Sequence, residues 1–490
     1  MEVAIVGGGI GGMTVALLLS KQGHSVTLYE KNRQLGGRLA YQQIGVSRID
    51  QGPTIVLLPE MILSILEEAG VERSRIPLIP CDPMHRIHYT DGTVFHKWRD
   101  TARQAQEVEE KFPHEGDGFK RFMREMETVF GKGKEAFLER PFLRKRDFWN
   151  YRNVALLNKL QVFRSVREVA AKYFRDEKLK DAYSLQTLYI GGAPYRSPGL
   201  YSLLPFAEHA YGVWYFKGGY AGLSLLLEDE LRSRGVNIQT DTEIDELIVE
   251  KGRCHGVVTS SGQARFDSVI YNGEFPGLSG LMRGKARPRF KSFVPSSGCV
   301  LVYLSVAKRW ENSAVHQFFL PESLTDQLRH IFDEGKLPDE PSYYVFNPIV
   351  IDADAAPSDE SVLCVLIPVP SIGKVNWSEE TPALVDYVLD NMQQRAFPGL
   401  REAMIQMVVR TPEDASADGL YQGGSFGIAP ILTQSAAFRP QIVPYPIQGL
   451  YAVGASVHPG GGIPIVMQGA KMLAQHLSKE WEHGTVSLPR

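Results

Sequence analysis

Three glycines, Gly7, Gly9 and Gly12, are spaced G-x-G-x-x-G between a short apolar run and a longer one. Gly7 suits a tight turn, Gly9 lets backbone approach a pyrophosphate, and Gly12 lets a helix pack closely on a strand. The chemistry that this spacing supports is dinucleotide binding, because free N–H groups and the dipole at a helix N-terminus favour phosphate. Glu30 closes the run SVTLYE, eighteen residues beyond Gly12, where an acceptor for a ribose hydroxyl is expected. Three elements must position these groups: a buried strand through Val3, Ile5 and Val6, a helix over Met13–Leu19, and a second strand ending at Glu30.

Two later motifs choose the nucleotide. Gly36-Gly37-Arg38 and Asp50-Gln51-Gly52-Pro53-Thr54 follow where a nicotinamide dehydrogenase would continue into plain β/α alternation. The paired glycines suit a second loop over the pyrophosphate, with Arg38 supplying a planar multi-donor fork; a solvated loop arginine is the alternative. Near the end, LYAVG reads as a buried strand, and Ile463–Leu477 reads as the helix after it. Gly454 and Ala455 leave that strand, His458-Pro459-Gly460-Gly461-Gly462 forms the turn, and Pro464 sits in the first helical turn. Such a helix start suits negative charge at the N1/C2 region of a reduced flavin. The pattern points to FAD rather than NAD. Asp50 is expected either to help hold the His458 loop or to cap a turn.

At 490 residues the chain is too long for one core and suits two or three interleaved domains. A hydrophobic content of 43% and a mean hydropathy of −0.16 describe a globular protein. A net charge of −3 gives no case for nucleic-acid binding. Cys81, Cys254, Cys299 and Cys364 are far apart and read as buried thiols of a reducing cytoplasm. A first strand starting at residue 2 leaves no room for a signal peptide, and no apolar run reaches the length of a membrane span. From about Ile87 to Ala210 the text reads as helical, charged and aromatic. A helix ending near Gly235 then gives way to strands at Val236–Gln239, Glu243–Glu250, Gly256–Thr259 and Ser268–Tyr271, a small β unit that offers backbone near Ile244 to an adenine. Residues from about Pro288 to Arg439 mix strands with the helical stretch PALVDYVLDNMQQRAF.

Taken together, G-x-G-x-x-G, GGR, D-x-G-P-T and the closing VGAS-x-HPGGGIP resemble the bacterial phytoene desaturase family of FAD-dependent carotenoid desaturases. The segments Phe137–Asn150, Leu185–Phe206 and Val213–Leu223 resemble its C30 branch, the dehydrosqualene (4,4'-diapophytoene) desaturases. Two departures are Arg48-Ile49 ahead of Asp50, where the family has an aromatic residue, and Gly461 in place of an alanine. The resemblance implies an α/β fold: a discontinuous Rossmann-type FAD-binding domain of the glutathione-reductase/amine-oxidase kind with an inserted mixed α+β substrate domain. On the readings above, residues 1–80, 215–285 and 440–485 form the first, and 87–214 and 286–439 the second. The implied reaction introduces conjugated C=C bonds into a C30 polyene by hydride transfer to flavin N5. Sister enzymes oxidise a terminal methyl of diaponeurosporene, and others desaturate a C40 substrate. A flavin amine oxidase is the distant alternative, opposed by Ala455-Ser456 ahead of His-Pro-Gly.

No H-E-x-x-H or clustered Cys/His occurs. Desaturation asks for a hydride acceptor, a proton acceptor, a dry slot and aromatic faces tolerant of positive charge. Tyr183, Tyr189, Tyr201, Phe206, Tyr211, Trp214 and Phe216 are candidates for that slot, with ordinary core as the alternative for each. The proton acceptor is not assigned; His458, Glu208 and His209 are the candidates. Arg140–Arg152 interleaves five Arg/Lys residues with Phe142, Phe148, Trp149 and Tyr151. With a water-insoluble polyene, that suits a cytoplasmic protein held peripherally on the inner face of the cell membrane.

Overall fold

The computed structural model describes residues 1–283, 292–310 and 312–483. The expected boundary at 285/286, the start near Pro288 and the end at 485 lie outside the described residues.

Five parallel strands form the first sheet, in the order Leu450–Ala452, Ser268–Tyr271, Glu2–Val6, Ser25–Tyr29 and Asn237–Gln239. The chain therefore leaves this sheet after residue 29 and again after residue 271. Val3, Ala4 and Ile5 are fully buried, as a parallel strand covered on both faces requires. Val3 pairs with Val26 on one side and Ser268 on the other. The helix Ile10–Lys21 is apolar through most of its length and packs against Gly219–Ser233 and Ile463–His483. A separate three-stranded antiparallel sheet comprises Ile244–Glu250, Arg253–Thr259 and Gly262–Arg265.

The third sheet has seven strands, in the order Met404–Arg410, Gly298–Val306, Ser361–Val369, Tyr343–Phe346, His316–Phe319, His85–His88 and Val94–Lys97. All neighbours are antiparallel except His316–Phe319 and His85–His88. One face carries the helix Trp377–Arg395; the other contributes to a core shared with Gly116–Phe137 and Leu203–Tyr211. The expectation of helix from Ile87 is corrected here. His85–His88 and Val94–Lys97 are strands, and helix begins at Thr101, where Asp100 caps the Arg103 N–H. Polar His85, His88 and Lys97 are buried in these strands, which disguises their alternation.

Candidate functional site

A cavity of about 1100 Å³ opens where the parallel sheet meets the seven-stranded sheet. Gly7, Glu30, Asn272 and Gly454 line it, each within a few residues of the C-terminal end of a parallel strand. That edge is where open α/β sheets bind ligands. A second, apolar set of lining residues includes Leu185, Leu188, Leu301, Phe318, Leu320 and Leu366.

The glycine-rich portion is tightly built. Gly8 N–H donates to Glu30 Oε2 at 2.8 Å and Asn32 N–H to Oε1 at 2.9 Å, which fixes the buried carboxylate beside the first turn. A Cβ on Gly12 would lie 2.2 Å from the Gly7 carbonyl oxygen, so only glycine lets the helix pass this close. Gly36, at φ +109°, donates to the Gly8 carbonyl at 2.9 Å and brings the Gly37-Arg38 loop against the turn. Arg38 pairs with Glu274, whose other oxygen accepts the Ser456 hydroxyl. Arg38 Nε is buried without a partner. The helix at Ile10 has no side-chain cap. An uncapped helix start, a ribose-height carboxylate and an unpartnered guanidinium nitrogen around one cavity fit a dinucleotide pyrophosphate.

Gly7, Gly9, Glu30, Gly36, Gly37, Arg38, Gly52, Pro53, Thr54, Ile244, Gly454, Ala455, Gly461, Gly462, Ile463 and Pro464 all line this cavity. Gly12 lies beneath its turn. Asp50, His458, Pro459 and Gly460 are not brought to the wall. Asp50 accepts the N–H groups of Tyr220 (3.2 Å) and Ala221 (2.8 Å), so it caps the helix Gly219–Ser233 and does not hold the His458 loop. Burial pushes its carboxyl up to about 7, against the pull of those two hydrogen bonds. His458 Nε2 donates to the Arg140 carbonyl at 2.9 Å beside the Phe142 ring, and burial lowers its imidazole to about 4.

Glu208 and His209 are also set back from the wall. Glu208 accepts from Lys97, from Gln186 Nε2 (3.0 Å) and from Tyr189 Oη (2.9 Å), and it contacts His85 Nε2 at 3.0 Å. Burial opposes its charge, but Lys97 and His85 outweigh burial and hold the carboxyl below the usual range. His209 Nδ1 donates to the Trp98 carbonyl at 2.9 Å, and burial lowers its imidazole to about 3. Of the seven aromatic candidates only Tyr189 lines the cavity. Phe318, Tyr343, Tyr344 and Phe426 line it too, and sequence reasoning passed them over. Tyr344 Oη lies 2.6 Å from Thr54 Oγ1 and 2.6 Å from His316 Nδ1. The apolar strand runs HQFF and YYVF were the signal for Phe318, Tyr343 and Tyr344.

The pattern of the family described as Flavin containing amine oxidoreductase matches residues 10–477. A 4,4'-diapolycopen-4-al dehydrogenase of Metabacillus indicus is 45% identical, the match covering 99% of this chain and all of that one. A 4,4'-diapophytoene desaturase (4,4'-diaponeurosporene-forming) of Staphylococcus haemolyticus is 31% identical over the same shares. This chain belongs to that flavin family, in its bacterial carotenoid desaturase group. Members of the family bind flavin, and this protein is an FAD-dependent oxidoreductase of the carotenoid desaturase type. The fold agrees: cyclohexylamine oxidase from Brevibacterium oxydans superposes with a TM-score of 0.62 over 98% of this chain and 99% of that one, at 16% identity.

Proposed function

We propose that this enzyme oxidises the terminal carbon of a C30 polyene, taking a polyene aldehyde to the acid. The observation that carries this reading is the 45% identity, end to end, with a 4,4'-diapolycopen-4-al dehydrogenase, against 31% with a desaturase. An aldehyde in its hydrated form gives the acid by losing one hydride from carbon and one proton from oxygen. Bound FAD supplies the hydride acceptor. In this reading Gly7, Gly9 and the helix start at Ile10 hold the pyrophosphate with Arg38, Glu30 takes the ribose, and backbone at Ile244 meets the adenine. The helix start at Ile463 faces the flavin. The leucine-rich wall keeps water from the chain and fixes its direction.

A second reading is desaturation of a C30 hydrocarbon. It is supported by full-length likeness to the staphylococcal desaturases and by the motifs between Leu185 and Phe206.

Either substrate is a lipid, and we place the enzyme on a bilayer surface. Among the described residues no helix is long and apolar enough to cross a membrane. Trp149, Tyr151 (88% exposed), Phe163 (81% exposed) and Phe438 instead present large apolar surface beside Arg144, Arg146 and Arg152. Phe142 and Phe148, expected at the same interface, are buried beneath it. Expression in cells supplied with a C30 polyene aldehyde, and separately with the C30 hydrocarbon, tests the function by product mass. Gain of one oxygen from the aldehyde supports it; stepwise loss of hydrogen pairs from the hydrocarbon alone overturns it in favour of desaturation.

A further inference from the structure

The cavity wall contains a hydrogen-bonded chain that starts at Thr54, the last residue of the D-x-G-P-T motif. Thr54 and Tyr344 line the cavity; behind them lie His316, fully buried, and Cys81. Thr54 Oγ1 to Tyr344 Oη is 2.6 Å, Tyr344 Oη to His316 Nδ1 is 2.6 Å, and His316 Nε2 to Cys81 Sγ is 3.7 Å. Among the described residues, Tyr344 is the only side chain bonded to the Thr54 hydroxyl.

We propose that this chain is the contact for an oxygen at the end of the polyene, so that the cavity selects a terminally oxidised substrate over the hydrocarbon. The proposal rests on the terminal-oxidation reading above. Its basis is a count of hydrogens. A neutral imidazole carries one N–H, and each hydroxyl donates once. If His316 carries its hydrogen on Nδ1, it donates to Tyr344, Tyr344 donates to Thr54, and the Thr54 hydrogen is free to point at a carbonyl oxygen. If the hydrogen is on Nε2, Tyr344 donates to His316, Thr54 donates to Tyr344, and Thr54 offers a lone pair to a hydroxyl. The same residue thus serves the aldehyde, which only accepts, and its hydrate or the acid, which also donate. Burial holds His316 well below the usual imidazole range and pushes the Cys81 thiol up to about 12, so the chain stays uncharged in both directions. Two other hydroxyls of the wall lack this freedom: Tyr189 donates to Glu208 and Ser342 to Gln327. A hydrocarbon end would leave Thr54 with Tyr344 as its partner and none on the cavity side.

The test is the visible absorption band of a C30 polyene aldehyde bound to the FAD-loaded enzyme, because a hydrogen bond to a conjugated carbonyl moves that band to the red. Thr54→Val removes the hydroxyl at nearly constant volume. The expected result is a blue shift of the bound band and roughly 10-fold weaker aldehyde binding, the loss of about one hydrogen bond. The hydrocarbon of the same length binds both proteins alike, and Thr54→Ser restores the wild-type band. Tyr344→Phe cuts the relay while keeping the Thr54 hydroxyl and shows a smaller shift, which serves if Thr54→Val fails to fold or load flavin. An identical band and affinity in wild type, Thr54→Val and Tyr344→Phe overturns the proposal. Wild-type enzyme that shifts the band but forms no acid overturns the oxidation reading and leaves the contact standing.

Discussion

The ion pair between Arg38 and Glu274 ties the second glycine loop to the segment that follows the strand Ser268–Tyr271. The pairing engages Nη2 and leaves Nε buried and unpartnered. Arg38 lines the cavity, and a buried donor without a partner costs about 1–3 kcal/mol, so an anion beside this side chain would relieve that cost.

Arg38→Ala is accordingly expected to weaken FAD binding by roughly 10- to 100-fold, the range of a lost charge-assisted hydrogen bond. Titration of the flavin-free protein with FAD, followed by flavin fluorescence, measures this. Unchanged affinity would remove Arg38 from the cofactor site.

Gly12→Ala should destabilise the fold by about 3 kcal/mol, since the new methyl meets a fixed carbonyl oxygen and has no room to relax. Gly23→Ala is the control: it has φ +82° and nothing within 4 Å, so it should cost only about 1–2 kcal/mol of backbone strain. Urea midpoints of the two variants should separate in that order.

The N-terminal strand, turn and helix were legible because their signals are local: a glycine spacing and an apolar run, each read within thirty residues. The same holds for Gly461–Pro464. The strands His85–His88 and Val94–Lys97 were not legible, because the first is held by His316–Phe319, more than two hundred residues away. Buried His85 and Lys97 also look like surface residues until Glu208 is placed between them. Tyr344 escaped notice for the same reason: its partners, Thr54 and His316, come from two distant parts of the chain. Asp50 was legible as a capping carboxylate, but the helix it caps, Gly219–Ser233, was not identifiable as its partner.

Asp50 gives the stability of the fold a pH dependence. Its folded pKa of about 7 lies above the ordinary value of 3.8. The folded state therefore binds the extra proton between these limits, and its contribution is full below about pH 4 and lost as pH rises through 7. The size is about 2–4 kcal/mol. Asp50→Asn keeps an acceptor for Ala221 without a charge. Its melting temperature should change less than that of wild type between pH 5 and pH 8 (both chosen to bracket the titration). Parallel profiles would contradict the assignment.

Neutralising Arg144, Arg146 and Arg152 together should weaken cosedimentation with anionic lipid vesicles by up to about 100-fold, at about 1 kcal/mol per basic residue near the surface. Binding to neutral vesicles should be retained through Trp149, Tyr151 and Phe163. Equal loss on both vesicle types would point to misfolding, and no loss on anionic vesicles would remove this patch from the membrane contact.

In the proposed reaction the bound flavin takes hydride from the oxidised end of a C30 polyene. Its most direct test is anaerobic mixing of the FAD-loaded enzyme with a C30 polyene aldehyde while the flavin absorbance is followed. Bleaching of the oxidised flavin in one step is expected, with one polyene acid formed per flavin reduced. Bleaching by the C30 hydrocarbon and none by the aldehyde would contradict it.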